Sequence, residues 1–110
     1  MSNPAPTITT INAFDASVGT VINFNIIGGT DIVRSNKVYI YDLVTNDLIC
    51  THLVVTTESI HELPPNTDAS ISYASGKSAA DFTNNKEYYL QIQTFTNSAG
   101  TMGASGLSLA

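Results

Sequence analysis

The chain has little charge of either sign and very little positive charge. Of 110 residues four are Lys or Arg and nine are Asp or Glu, giving a formal net charge of −5. The cations Arg34, Lys37, Lys77 and Lys86 are scattered. A nucleic-acid binder needs a clustered basic face to displace counterions, so that partner is excluded. An anionic membrane surface would repel the chain. The single cysteine, Cys50, excludes an intrachain disulfide and any all-Cys zinc site. Within Leu48-Ile49-Cys50 it reads as a small buried hydrophobe. No apolar run approaches the roughly 20 residues of a membrane-spanning helix. The opening MSNPAPTITT lacks the basic and apolar regions of a signal peptide. A product made in the cytoplasm is expected. Nowhere do apolar residues recur at i, i+3, i+4 and i+7 over three turns, so no long helix is expected.

Alternation is what the chain does have. Between the turn-forming Thr83-Asn84-Asn85-Lys86 and Asn97-Ser98-Ala99-Gly100, Tyr88, Leu90 and Ile92 fall on one face and Tyr89, Gln91 and Gln93 on the other. That pattern belongs to a half-buried antiparallel strand. Residues 20–27 alternate Ile22, Phe24 and Ile26 against Val21, Asn23 and Asn25. Residues 38–43 oppose Val38 and Ile40 to Tyr39 and Tyr41. Further strands are expected over 7–13, 48–55, 59–63 and 106–110. Turns are expected at 28–31 and at Thr45-Asn46-Asp47. Residues 2–6, with Pro4 and Pro6, read as an extended arm free to lie on a neighbour or a sheet edge. Residues 66–80 form a long polar excursion, a kind of loop that is usually functional or mobile. The expected fold is all-β: an antiparallel two-layer β-sandwich, with an arm over 1–7 and one domain over 8–110. Ile22, Phe24, Ile26, Val38, Ile40, Tyr88, Leu90 and Ile92 form its facing rows.

Two resemblances attach to these residues. Phe82 stands six positions before Tyr88, Leu90 and Ile92 continue the alternation, and Asn97 to Gly100 supplies a turn. This resembles the fibronectin type III module, with Phe24 where its usual tryptophan is absent. The resemblance implies a sandwich of immunoglobulin-like type and a tyrosine corner, with Tyr88 buried and its hydroxyl tied to nearby backbone. More narrowly, TITTINAFDASVGTVINFNIIGG, YIYDLVTNDLI and KEYYLQIQTF resemble modules of tail, baseplate or fibre proteins from phages of Gram-positive bacteria. That resemblance implies a virion component without catalysis, partnered by other virion proteins and by copies of itself.

The chemistry-bearing residues are few. His52 and His61 lack the third and fourth partners of a metal site and read as surface or strand-flanking side chains. Asp15, Asp31, Asp42 and Asp47 read as turn-capping groups, with calcium binding or paired-carboxylate hydrolysis as alternatives. No Walker loop, GxGxxG or HExxH motif is present. Neither a catalytic residue nor a cofactor is expected. The candidate interaction surface is Tyr39, Tyr41, Tyr89, Gln91 and Gln93, an exposed aromatic and amide patch if their strands pair. Ordinary cross-strand pairing is its plainer reading. Besides virion assembly, the expectations include a carbohydrate-binding module for host cell-wall glycans and a spacer of a secreted polysaccharide-degrading enzyme.

Overall fold

Side-chain alternation marks out the central strands, and burial follows it most closely in β2 and in β3 from Asn36 onward. The computed structural model describes residues 3–26 and 31–108. In chain order the strands are β1 (Thr7–Ile11), β2 (Thr20–Asn25), β3 (Ser35–Asp42), β4 (Leu48–Val55), β5 (Ile60–Leu63), β6 (Ser72–Tyr73) and β7 (Tyr88–Phe95). A single 3₁₀ turn, Ala79–Asp81, is the only helical element among the described residues. Every pairing is antiparallel. One sheet has the order β1-β2-β5 and the other β6-β4-β3-β7. The chain is therefore a two-layer antiparallel β-sandwich.

The layers meet through the rows that the alternation marks out. Ile22 and Phe24 of β2 face Val38 and Ile40 of β3, with Cys50, Leu63 and Ile92 from β4, β5 and β7. Ile71 and Phe82 join the same cluster from the connections. Burying one such side chain fully stabilises by roughly 1.5–3 kcal/mol, so this row outweighs any single polar contact. Ile26, Tyr88 and Leu90 pack against the cluster but stay half-buried.

Several connections differ from expectation. The 66–80 excursion is stitched to the domain: β6 pairs with β4 through Cys50↔Tyr73 and Thr51↔Ser72. Asn66 fastens it further, donating to the carbonyls of Ala79 and Phe82 and accepting the Tyr73 hydroxyl at its own carbonyl. The arm lies on its own domain, for Asn3 is buried and exchanges two hydrogen bonds with the Asp31 backbone. Of the turn at 28–31, residues 28–30 lie outside the described residues. Of the strand expected at 106–110, residues 109 and 110 lie outside them too. Residues 106–108 form no regular ladder. Instead Ser105 and Ser108 each donate a backbone N–H to β7, at Thr94 and Ile92. Each then accepts the N–H of that same β7 residue on its hydroxyl oxygen.

The tyrosine corner is present. Tyr88 donates its hydroxyl to the Asp81 carbonyl at 2.5 Å and accepts the Thr83 N–H at 2.9 Å. Its ring is half-buried, stacked edge-on to Phe82. Tyr88→Phe leaves two backbone groups without that partner and should lower unfolding stability by about 1–3 kcal/mol. Far-ultraviolet circular dichroism should not change. Gly19 sits at φ 101°, where a Cβ would collide with the Leu63 carbonyl oxygen. Gly19→Ala should therefore destabilise by about 1–3 kcal/mol in urea titration.

Candidate functional site

The five residues of the expected patch do converge. β3 and β7 pair in a register that sets Tyr39 opposite Gln91, Tyr41 opposite Tyr89 and Lys37 opposite Gln93. All point to the outer face of the four-stranded sheet. The rings of Tyr41 and Tyr89 stack with centroids 4.8 Å apart and planes 7° from parallel. Lys37 Nζ lies 5.6 Å from the Tyr39 ring centre. The patch is half-buried, however, where an exposed one was expected. Its polar groups are also engaged within the chain. Tyr39 donates its hydroxyl to Gln93 Oε1 at 2.7 Å, and Tyr89 donates to Asn46 Oδ1. Gln93 Nε2 donates to the Ser105 carbonyl at 2.7 Å and Gln91 Nε2 to the Ser108 carbonyl at 3.0 Å. The amides thus clamp the 105–108 segment along β7. Burial raises the Tyr39 and Tyr41 hydroxyls above the ordinary phenol range, and the neighbouring tyrosine adds to it in each case. What the face can offer a partner is ring edges and outer ring surfaces, with few free hydrogen-bonding groups.

A second constellation lies inside the sandwich, and it corrects the reading of the histidines. His52 and His61 are buried, 7% and 0% exposed, rather than at the surface. The parity of their strands explains this: His52 shares a face with Cys50, and His61 with Leu63. His52 Nδ1 lies 2.9 Å from His61 Nε2, joining β4 of one sheet to β5 of the other. His61 Nδ1 reaches Asn36 Oδ1 at 2.5 Å, and Asn36 Nδ2 donates to the Ile60 carbonyl at 3.2 Å. At the outer end His52 Nε2 lies 3.0 Å from Ser70 Oγ, itself 2.6 Å from Asp68 Oδ1. Burial, with His52 beside it, pushes the His61 imidazole down to about 3. Burial also lowers His52, against an opposing pull from the Asp68 carboxylate. Among the described residues no three His, Cys, Asp or Glu side chains come together as a metal-holding group.

Two of the four turn carboxylates, Asp42 and Asp15, cap their turns with their side chains. Asp42 Oδ1 accepts the N–H groups of Val44 and Thr45, and those bonds hold its carboxyl below the usual range with Lys86 assisting. Asp15 Oδ1 accepts from Ser17 and Asn84, with the same effect. Asp47 pairs with Lys77 at 3.7 Å on the surface. Cys50 is fully buried and its thiol is pushed up to about 12 by burial, which leaves it unreactive. Asn36, Ser70, Asp68, Ser105 and Ser108 were not singled out by the sequence. Only for Asn36 was a signal present, since it shares the inward parity of Val38 and Ile40.

Because both imidazoles are lowered in the folded state, the unfolded chain binds more protons below its histidine pKa of about 6.5. The stability held by the neutral pair is complete above that pH and is lost as the pH falls through it. For His61 the slope should approach about 1.4 kcal/mol per pH unit. The lowered carboxylates Asp15, Asp42 and Asp68 add a separate loss only below their ordinary 3.8. Urea midpoints should hold level from pH 7.5 to about 6.5 and decline from there to pH 4.5; a profile flat throughout would show that the pair is not buried neutral.

No protein family, curated protein or solved structure matches this chain.

Proposed function

We propose that the chain is a non-catalytic structural and interaction module that assembles with further copies of itself through an open sheet edge. The observation that carries this reading is the character of β1. Three sheet edges are guarded. β6 is only two residues long, β5 runs into Pro64-Pro65, and β7 has the 105–108 segment along its second half. β1 lies at the remaining edge with four of its five residues exposed. Beside it runs an open groove lined by Pro6, Ile8, Ile11, Tyr88, Leu90 and Leu107, with no charged side chain. An uncharged, apolar strand edge suits pairing with another strand. A bulge at Thr9, where the register slips between Ile8 and Thr10, confines that pairing to short stretches. Weak edge contacts of this kind act in multiple copies, through effective concentration.

The setting we propose is a bacteriophage virion, in its tail, baseplate or fibre. The resemblance of YIYDLVTNDLI and KEYYLQIQTF supports it. The immunoglobulin-like refinement of the fold has separate support. The neighbours β1-β2-β5, and β3-β7 with the 105–108 segment beside β7, match the A-B-E and C-F-G order of such sandwiches. The tyrosine corner at Tyr88 agrees with it.

Sedimentation at rising protein concentration tests the reading. A discrete oligomer is expected, and Ile11→Glu, at a side chain 47% exposed, should return it to monomer with the fold intact. A chain that stays monomeric at every concentration would refute it. The stacked Tyr41 and Tyr89 rings favour one second reading, a platform for cell-wall sugars. Glycan binding that is lost on Tyr89→Ala would establish that alternative.

A further inference from the structure

The buried histidine network is one hydrogen short of completion. Four contacts run in series: Asp68 to Ser70, Ser70 to His52, His52 to His61, and His61 to Asn36. Both ends are acceptors. Asp68 is a carboxylate, and Asn36 turns its Oδ1 inward because its Nδ2 donates to the Ile60 carbonyl. Between those ends the Ser70 hydroxyl and two neutral imidazoles bring only three hydrogens to the four contacts. His61 must then carry its hydrogen on Nδ1, for Asn36. Its Nε2 is left as an acceptor, so His52 must also carry its hydrogen on Nδ1. The gap falls at Ser70, whose hydroxyl can donate to His52 Nε2 or to Asp68 but not to both. That is the exposed end of the chain, where water can stand in; a gap between the buried rings would cost more.

We propose that the network is a proton-operated latch: one proton, taken up at His52 Nε2, completes it and fastens the 68–70 loop to the sandwich. With that proton in place His52 donates to Ser70 Oγ, Ser70 donates to Asp68, and every contact has its hydrogen. The positive charge sits at the ring nearer the Asp68 carboxylate. A second proton acts in the opposite sense. On His61 Nε2 it would set two N–H groups against each other at 2.9 Å, between β4 and β5, and drive the sheets apart. One proton tightens the loop; two open the sandwich.

The surroundings of His52 leave Asp68 as the charged group in command. From β4 the inward neighbour is Cys50, a neutral thiol. From β3 the residue paired with His52 is Val38, buried and apolar, with the neutral Asn36 the next inward residue, since Lys37 lies on the outer face. From β5 it is His61, since Glu62 is exposed on the other side. From β2 the residue paired with His61 is Ile22, buried and apolar. The loop supplies Ser70 and Asp68.

Imidazole nitrogen spectra of the intact chain, followed by NMR from pH 8 to pH 4, read each ring directly. At pH 8 both rings should show the Nδ1–H tautomer. On acidification His52 should become imidazolium while His61 stays neutral. Asp68→Asn, which keeps a side-chain oxygen to accept the Ser70 N–H, should lower the His52 midpoint by about one pH unit, and Ser70→Ala should lower it as well. Hydrogen exchange at the Ser70 amide should slow in step with the His52 titration in the unsubstituted chain alone. An Nε2–H tautomer at His52, a His61 titration ahead of His52, or a His52 midpoint unmoved by Asp68→Asn would each overturn the latch.

Discussion

Everything in this molecule depends on the contact between two apolar rows, Ile22 and Phe24 on one sheet and Val38, Ile40 and Ile92 on the other. The three-stranded sheet cannot bury its inner face alone, and neither can the four-stranded one. Their contact fixes the register of every pairing, because a slip by one residue would turn Ile22 and Phe24 to solvent. It also fixes what can be placed outside. Once Val38 and Ile40 face inward, Tyr39 and Tyr41 must face outward, and the β3–β7 ladder brings Tyr89, Gln91 and Gln93 beside them. The outer face is thus a consequence of the core.

The same rows create an electrostatic tension beside them, where His61 pairs with Ile22 and His52 with Val38. His52 and His61 occupy inward positions in strands whose other inward residues are apolar. Burial there keeps both rings neutral and forces each ring nitrogen to find a partner. Asn36 and Ser70 supply those partners from two different elements. The result is a polar seam through an oily interior, tied at one end to Asp68 in solvent. An apolar pair would hold the sheets without dependence on pH; this pair couples them to it.

How much of this could be read from the chain depends on whether side chains or segments set the pattern. β4 runs over 48–55 as the return strand that the turn at Thr45-Asn46-Asp47 implies, and Tyr88 makes its corner because the loop from Phe82 has the right length. Residue type alone places the histidines at the surface, whereas parity counted from Cys50 and Leu63 turns both inward. The 105–108 segment was harder to see. Ser105 and Ser108 sit three apart and meet Thr94 and Ile92, two apart, so no period-2 signal marks them. Their hydroxyls replace ladder bonds that a strand makes with its backbone. Likewise β6 is two residues in a polar run, and only the long-range pairing with Cys50 and Thr51 makes it a strand. For the outer face, composition foretold the residues but not that Gln91 and Gln93 would be drawn into clamping the chain's own backbone.

Native-state hydrogen exchange resolved by residue tests the facing rows most directly. If they join both sheets into one unit, the amides of β2, β3, β4 and the centre of β7 exchange only by global opening, with a common free energy and a common response to denaturant. Separate opening energies for the β1-β2-β5 sheet and the four-stranded sheet would contradict a shared interior.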